Sequence, residues 1–238
     1  KERTATGTMP ENPALVETIV TTDMAKVIAQ AYGVHLIEVL TGFKYIGEQI
    51  RLFEENHTYN YVFGLEESYG CLAGTYARDK DACVAVMMLC EVASWYKKQG
   101  KTLWDAMLDM YETYGYFKEG LETITLKGMD GAEQIQRMMA DAREHLPQQI
   151  GDYKVLAVRD YKTDLRTDMA DGSKSPTGLP TSNVLYYELE DHAWCCVRPS
   201  GTEPKIKFYF GVKGSSLADA EDKLEGLTKG MMALFDRK

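Results

Sequence analysis

Residues 192–210 read HAWCCVRPSGTEPKIKFYF, and this stretch decides the fold of the second half of the chain. Two runs in it alternate between apolar and polar residues, as strands do when one face of their sheet is buried. The segment that joins them, residues 198–204, reads RPSGTEP, whereas a tight hairpin would carry Asn-Gly. The pattern therefore predicts two antiparallel strands whose connection has a use beyond turning the chain.

The rest of the second half has the same rhythm. Strands are predicted over residues 153–159, 183–190, 193–198 and 205–212. Helices are predicted over Ala132–His145 and from Leu217 onward, and residues 162–182, rich in Asp, Gly, Ser, Thr and Pro, are predicted to form a surface loop. We therefore expect residues 118–238 to form an α+β domain, an antiparallel sheet backed by helices.

The first half alternates strand-like runs with helical segments. Leu15–Val20 predicts a strand, and a long helix is predicted over Lys80–Lys98. The apolar stretch Val84–Leu89 within that helix is typical of a helix that is buried on all sides. Strands that alternate with helices indicate an α/β domain with a mixed, mostly parallel sheet, which we place at residues 1–117.

Composition and charge exclude several classes of protein. The net charge of −9 argues against nucleic acid as a partner, because binding to a phosphate backbone needs a basic surface. No apolar run is long enough to span a membrane, and no secretory signal is visible. The five cysteines lack CxxC spacing and the four histidines are scattered, so we predict reduced thiols, a cytoplasmic location and no metal in this chain.

The connection at residues 198–204 carries groups that suit an anion. Its arginine offers a planar fork to two phosphate oxygens, its hydroxyls add donors, and its glycine lets backbone N–H groups come close. An ordinary Ser/Gly turn with a solvated arginine explains the same residue types, so both interpretations stay open at this point. The candidate anion ligands are Arg198, Ser200, Gly201, Thr202 and one of Lys205 and Lys207.

The order Arg-Pro-Ser-Gly-Thr resembles the phosphate-binding loop in the C-terminal domain of the phosphoglucomutase/phosphomannomutase family, the α-D-phosphohexomutases. The first half is similar to the same family in three places. GLEESYG at residues 64–70 resembles its sugar-binding loop, whose core here is Glu66 and Ser68. TGFK at residues 41–44 and RDKD at residues 78–81 resemble two segments of the glucomutase branch. The four motifs stand in the family's order and cover essentially the whole chain.

The resemblance implies a domain organisation and an activity. Residues 1–117 would be the third, sugar-binding domain, truncated at its start, and residues 118–238 the C-terminal phosphate-binding domain. The family interconverts hexose 1-phosphate and hexose 6-phosphate through a phosphoserine, with glucose 1,6-bisphosphate as activator and intermediate. The phosphoserine and the Mg²⁺ loop belong to N-terminal domains whose motifs do not occur here. We therefore expect those missing domains of the same chain as partners, and this chain alone to be inactive.

The resemblance also implies roles for single residues. Glu66 and Ser68 would bind the sugar, and Lys44 would act electrostatically at the transferring phosphoryl group. Residue types alone suit Lys44 as a solvated helix lysine, Glu66 as a capping carboxylate and Arg78 as a partner in a domain-interface ion pair. Asp79 and Asp81 suit the dipole at a helix start better than they suit a metal ion. The phosphate of the hexose phosphate substrate would be held by Arg198, Ser200, Gly201, Thr202, Lys205 and Lys207.

Two other functions remain open on the sequence. One is a non-catalytic phosphosugar-binding module that acts without the first two domains, and the other is a phosphoglucosamine mutase. The EESYG and TGFK motifs favour the glucomutase branch. Glucose and mannose differ at C2, and nothing in the sequence identifies the residue that would distinguish them.

Overall fold

A computed structural model describes residues 2–126, 128–201 and 203–236 of the chain. Contacts between Cα atoms divide the chain into two compact units, Lys1–Gly115 and Tyr116–Lys238. This division falls two residues before the boundary that the sequence analysis places after residue 117. Each unit is described by itself.

The first unit contains a mixed sheet with helices. The strand order is β2-β1-β3-β4, in which β1 pairs in parallel with β2 and β3, and β4 is antiparallel to β3. This mixed, mostly parallel sheet confirms the predicted α/β class. The elements in chain order are α1 (Glu2–Ala5), β1 (Pro13–Thr18), α2 (Asp23–Ala31), β2 (His35–Val39), α3 (Phe43–Asn56), β3 (Asn60–Leu65), β4 (Cys71–Ala73), α4 (Ala82–Lys97) and α5 (Leu103–Tyr114).

Helix α3 supplies most of the core of this unit. Its apolar residues recur every three or four positions and therefore form one stripe that faces the sheet. Phe43 begins this stripe and Phe53 ends it, and both are buried against β1 and β3. Phe43 is the first residue of α3 and lies four residues after the end of β2, so its packing also fixes the start of the helix, where the TGFK motif lies.

Helix α4 differs from the sequence prediction. None of its described residues is fully buried, and Val86, Leu89 and Trp95 are 61%, 57% and 49% exposed. The prediction of burial on all sides is therefore wrong for the unit as the structure describes it. An apolar helix is buried only where other elements surround it, and α4 packs mainly against β4 and α5.

The second unit is an antiparallel sheet with two long helices. The strand order is β5-β12-β11-β10-β7-β8-β9, with β6 paired to β7, which confirms the predicted α+β class. Strands β8 and β9 lie within residues 162–182, so that stretch is partly sheet and not wholly loop. The elements are β5 (Tyr116–Thr125), α6 (Gly128–Glu144), β6 (Gln149–Ile150), β7 (Tyr153–Asp160), β8 (Leu165–Asp168), β9 (Lys174–Ser175), β10 (Leu185–Leu189), β11 (Trp194–Pro199), β12 (Lys205–Gly214) and α7 (Leu217–Phe235).

The two faces of this sheet have different uses. Val197 of β11 and Phe208 of β12 point to the face that α6 and α7 cover, and both belong to the buried core. Arg198 pairs with Lys207 in the antiparallel register, and residues directly opposite each other share a face. Because side chains alternate along a strand, this arginine and lysine lie on the face away from the core. Among the described residues, no helix is long and apolar enough to cross a membrane.

Candidate functional site

The motifs of the first unit meet at one edge of its sheet. Residues 41–44 follow β2, and residues 64–70, here called the sugar loop, include the end of β3 and lead into β4. Strand β2 lies on one side of β1 and β3 lies on the other side, so the direction in which strands are added reverses at β1. The carboxyl ends of parallel strands at such a reversal are where open α/β sheets bind ligands.

Glu66 is the buried carboxylate of the sugar loop, with a side chain only 4% exposed. The Nζ atom of Lys80 donates a hydrogen bond to its Oε1 atom at 2.6 Å, and the same ammonium lies 5.9 Å from the ring centre of Phe43. The hydrogen bond to Glu66 raises the pKa of Lys80, so the lysine is charged at neutral pH. One ion pair thus joins the sugar loop, the RDKD segment and the TGFK segment.

Gly70 leaves room for this ion pair. A Cβ atom at position 70 would lie 2.5 Å from Oε1 of Glu66 and 2.6 Å from Cδ of Lys80, so any larger residue would displace one of them. The backbone also closes the loop here, because the N–H of Glu66 donates to the carbonyl of Gly70 at 2.9 Å. The glycine at the end of the motif is therefore required by side-chain packing.

The next glutamate points to a different anchor. The hydroxyl of Thr18, which is buried at the end of β1, donates to Oε2 of Glu67 at 3.0 Å. The hydroxyl of Thr21 lies 2.9 Å from that of Thr18 and extends the network. The two consecutive glutamates therefore fix the sugar loop from two sides, one through Lys80 and the other through Thr18.

Between these anchors the loop presents two exposed side chains. Ser68 is exposed, and Tyr69 is 98% exposed with a backbone φ of 67°. A bulky residue in the left-handed region is an uncommon conformation that costs on the order of 1 kcal/mol. The sequence analysis proposed Ser68 as a ligand and gave no role to Tyr69.

Lys44 lies in the first turn of α3. The helix begins directly after Gly42, whose φ of 122° favours glycine. Its side chain is exposed, and its ammonium lies 4.7 Å from the ring centre of Tyr45. Among the described residues, no hydrogen bond or ion pair joins Lys44 to Glu66 or Ser68. The structure therefore places Lys44 at the same edge of the sheet as the sugar loop without bringing it into contact with the other two predicted residues.

The connection at residues 198–204, here called the phosphate loop, is centred on Arg198. The guanidinium of this arginine is partly buried, and its Nη1 atom has no hydrogen-bond partner among the residues that the structure describes. Lys207 lies directly opposite on the next strand. A buried cationic N–H group without an acceptor is unfavourable, so this position is suited to an anion.

The other predicted phosphate ligands differ in their surroundings. The N–H of Ser200 donates to the carbonyl of Lys205 at 2.7 Å, which closes the loop. The ammonium of Lys205 lies 3.0 Å from a carboxylate oxygen of Glu203, so its charge is already partly neutralised. Gly201 is exposed, with open space where a Cβ atom would lie. Thr202 lies outside the described residues.

The remaining residues of the RDKD segment have structural partners. Arg78 forms an ion pair with Glu54 of α3 at 2.5 Å, within the first unit. Asp81 caps α4 by accepting from the N–H groups of Cys83 and Val84, and the Tyr76 hydroxyl donates to it at 2.6 Å. The hydrogen bond from the tyrosine lowers the pKa of Asp81. In the described part of the chain, no group of three or more His, Cys, Asp or Glu side chains is arranged to hold a metal ion.

Comparison with known proteins agrees with this geometry. Residues 1–114 match the family model described as phosphoglucomutase/phosphomannomutase, alpha/beta/alpha domain III. A phosphoglucomutase of Staphylococcus aureus is 37% identical over 213 residues, which cover 90% of this chain. The chain belongs to the phosphoglucomutase/phosphomannomutase family. A phosphoglucomutase of Staphylococcus haemolyticus is 36% identical over 204 residues, 86% of this chain.

Two solved structures share the fold of this phosphohexomutase chain. The phosphoglucomutase parafusin of Paramecium has a TM-score of 0.60 at 16% identity and is matched over 93% of this chain and 38% of its own. A family member from Burkholderia thailandensis has a TM-score of 0.53 at 14% identity, over 93% of this chain and 37% of its own. The chain likewise spans 38% and 37% of the lengths of the two staphylococcal relatives.

The phosphohexomutase site also contains residues that sequence reasoning did not assign. Lys80, Thr18 and Thr21 hold the sugar loop, and Phe43 lies beneath the lysine. The RDKD motif was the available signal for Lys80, because a lysine in a motif that follows an acidic loop is a candidate ion-pair partner. The threonines gave no comparable signal, since a strand that ends in Thr is ordinary.

Proposed function

We propose that this chain supplies the sugar-binding and phosphate-binding parts of the substrate site in an enzyme that interconverts hexose 1-phosphate and hexose 6-phosphate. The observation that carries the proposal is the buried Nη1 atom of Arg198, which lacks an acceptor among the described residues and lies opposite Lys207. A phosphate group offers several acceptor oxygens and negative charge, which are what these two side chains need. The same phosphate would also be bound by Ser200, Gly201 and Thr202.

The sugar loop suits the hydroxyl groups of a sugar. Glu66 accepts hydrogen bonds through two oxygens, of which one is occupied by Lys80, and Ser68 can both donate and accept. Sugar hydroxyls require this combination. Because several ring hydroxyls are equivalent partners, the same two residues can hold a hexose phosphate in either of two opposite orientations. Lys44 would stabilise negative charge at the transferring phosphoryl group.

The activity itself belongs to a longer protein in this proposal. A phosphoserine transfers its phosphoryl group to the hexose phosphate, and the resulting glucose 1,6-bisphosphate turns over. Its other phosphate then returns to the serine. In each of these two half-reactions, the phosphate loop would hold the phosphate that does not react. We assign the serine to domains outside this chain, which would also supply the ligands of Mg²⁺, whose charge assists phosphoryl transfer. A cytoplasmic location is part of the proposal.

The test is anion binding to the chain itself. Inorganic phosphate should shift the backbone NMR signals of the phosphate loop, and Arg198→Ala should weaken binding at least tenfold. Arg137→Ala is the matched control, because that arginine is highly exposed on α6 and forms an ion pair with Glu133 one turn away. Equal phosphate affinity in wild type and Arg198→Ala would contradict the proposal.

A further inference from the structure

Tyr69 stands out among the side chains that the proposed function leaves without a role. It is 98% exposed, whereas the next most exposed aromatic residue of this region, Tyr76, is 61% exposed and bonds to Asp81. Its backbone has a φ of 67°, a conformation in which glycine would be free of strain. A strained backbone that holds a large ring in water does not help folding, and such outliers point to function.

The position of this tyrosine is fixed by the residues around it. Glu66 is held by Lys80 at 2.6 Å, and Glu67 is held by Thr18 at 3.0 Å, so both sides of the loop tip are anchored. The tyrosine itself has two side-chain torsions, so it loses little conformational entropy when it contacts a ligand. The tip therefore presents an exposed, amphipathic ring on an anchored loop, directly after Ser68 in the chain.

We infer that Tyr69 is an aromatic platform for the ring of the hexose. This inference rests on the proposed function and adds a substrate-contacting residue to it. The C–H groups of a hexose ring form an apolar face that packs on an aromatic ring, while Glu66 and Ser68 bond to its hydroxyls. Packing of this kind is not directional, so the contact persists when the hexose phosphate is bound the other way round.

The experiment compares Tyr69→Gly with Tyr69→Phe in the 238-residue chain. Binding of glucose 1-phosphate, glucose 6-phosphate and inorganic phosphate is measured by ligand-observed NMR. Tyr69→Gly should weaken both hexose phosphates about tenfold and abolish saturation transfer to their ring protons, with phosphate binding unchanged. Tyr69→Phe should bind as wild type does, because the ring remains. The melting temperature of Tyr69→Gly should not fall, since glycine relieves the strain.

The outcomes separate this inference from the proposed function. A wild-type chain that binds neither hexose phosphate would contradict the proposed function and the platform with it. Hexose phosphate binding that is equal in wild type and Tyr69→Gly would overturn the platform alone. An equal loss in Tyr69→Phe and Tyr69→Gly would also overturn it, because the hydroxyl and not the ring would then make the contact. Trp104→Ala, which removes an exposed aromatic residue of α5, is the control and should bind as wild type does.

Discussion

The sugar loop and the phosphate loop are constructed in opposite ways. In the sugar loop the charged side chains have partners within the chain, because Glu66 pairs with Lys80 and Glu67 accepts from Thr18. In the phosphate loop the central cation, Arg198, has a buried nitrogen with no partner among the described residues. One loop is therefore stabilised before a ligand arrives, and the other is completed by the ligand.

This difference predicts that one loop orients the ligand and that the other supplies most of the affinity for it. A loop whose side chains are already fixed loses little entropy on binding, so under the proposed function it would select the geometry of the sugar. An unpaired buried cation gains much more from an anion than a paired one does, so the phosphate loop should supply most of the binding free energy. The same difference predicts opposite effects of mutation on stability in the two loops.

The largest expected effect is loss of activity when the phosphate loop loses its arginine. In the full-length enzyme, Arg198→Ala should lower kcat/KM by about thirty- to a thousandfold, equivalent to about 2–4 kcal/mol, because a bidentate and charge-assisted contact is lost. Arg198→Lys should recover only part of this, since a point charge cannot replace the planar fork. Arg137→Ala is the control in a coupled kinetic assay. If the kcat/KM of Arg198→Ala equalled that of wild type, the claim that the phosphate loop supplies most of the binding free energy would be wrong.

The second prediction concerns the free energy of unfolding, which should change in different directions when each loop loses its cation. Lys80→Met leaves the buried carboxylate of Glu66 without its partner and should lower the free energy of unfolding by about 1–2 kcal/mol, a value reduced because Lys80 is 51% exposed. Arg198→Met removes the buried Nη1 group, which has no partner among the described residues, and should leave the stability unchanged or higher. Urea unfolding followed by circular dichroism measures both.

A matched control exists for the lysine. Lys101 pairs with Asp109 at 2.5 Å, but both side chains are close to half exposed. Lys101→Met should therefore change the free energy of unfolding much less than Lys80→Met does. If Lys80→Met were as harmless as this control, the sugar loop would not be anchored through Glu66.

The sequence predicted the phosphate loop better than the sugar loop, for a physical reason. Side chains alternate with a period of two along a strand, so the pattern of residues 192–210 predicted two antiparallel strands with one buried face, and in the structure Arg198 and Lys207 lie on the other face. Both belong to neighbouring strands of one hairpin. Contacts between residues so close in sequence follow from local geometry.

The anchors of the sugar loop depend on contacts that are distant in sequence. Thr18 and Glu67 are 49 residues apart and meet only because β1 and β3 are paired in parallel. The failed prediction for α4 has a similar origin, since the apolar run Val84–Leu89 shows what the helix contains and not what surrounds it. Strand β5 was missed because its charged residues obscure the alternation, in YFKEGLETIT.

The smallest expected effect concerns Asp81, which follows Lys80 in the chain and caps α4. Asp81 caps that helix, and the hydrogen bond from Tyr76 lowers its pKa, so its contribution to stability is present above the ordinary Asp pKa of about 3.9 and is lost as the pH falls through the lowered value. Asp81→Asn keeps a capping oxygen but cannot titrate, so it should lose less free energy of unfolding between pH 5 and pH 2.5, as read from urea titrations at each pH. Tyr76→Phe removes the largest cause of the pKa shift and should fall between wild type and Asp81→Asn. Identical pH dependence in all three proteins would show that ionisation of Asp81 does not contribute to stability in this pH range.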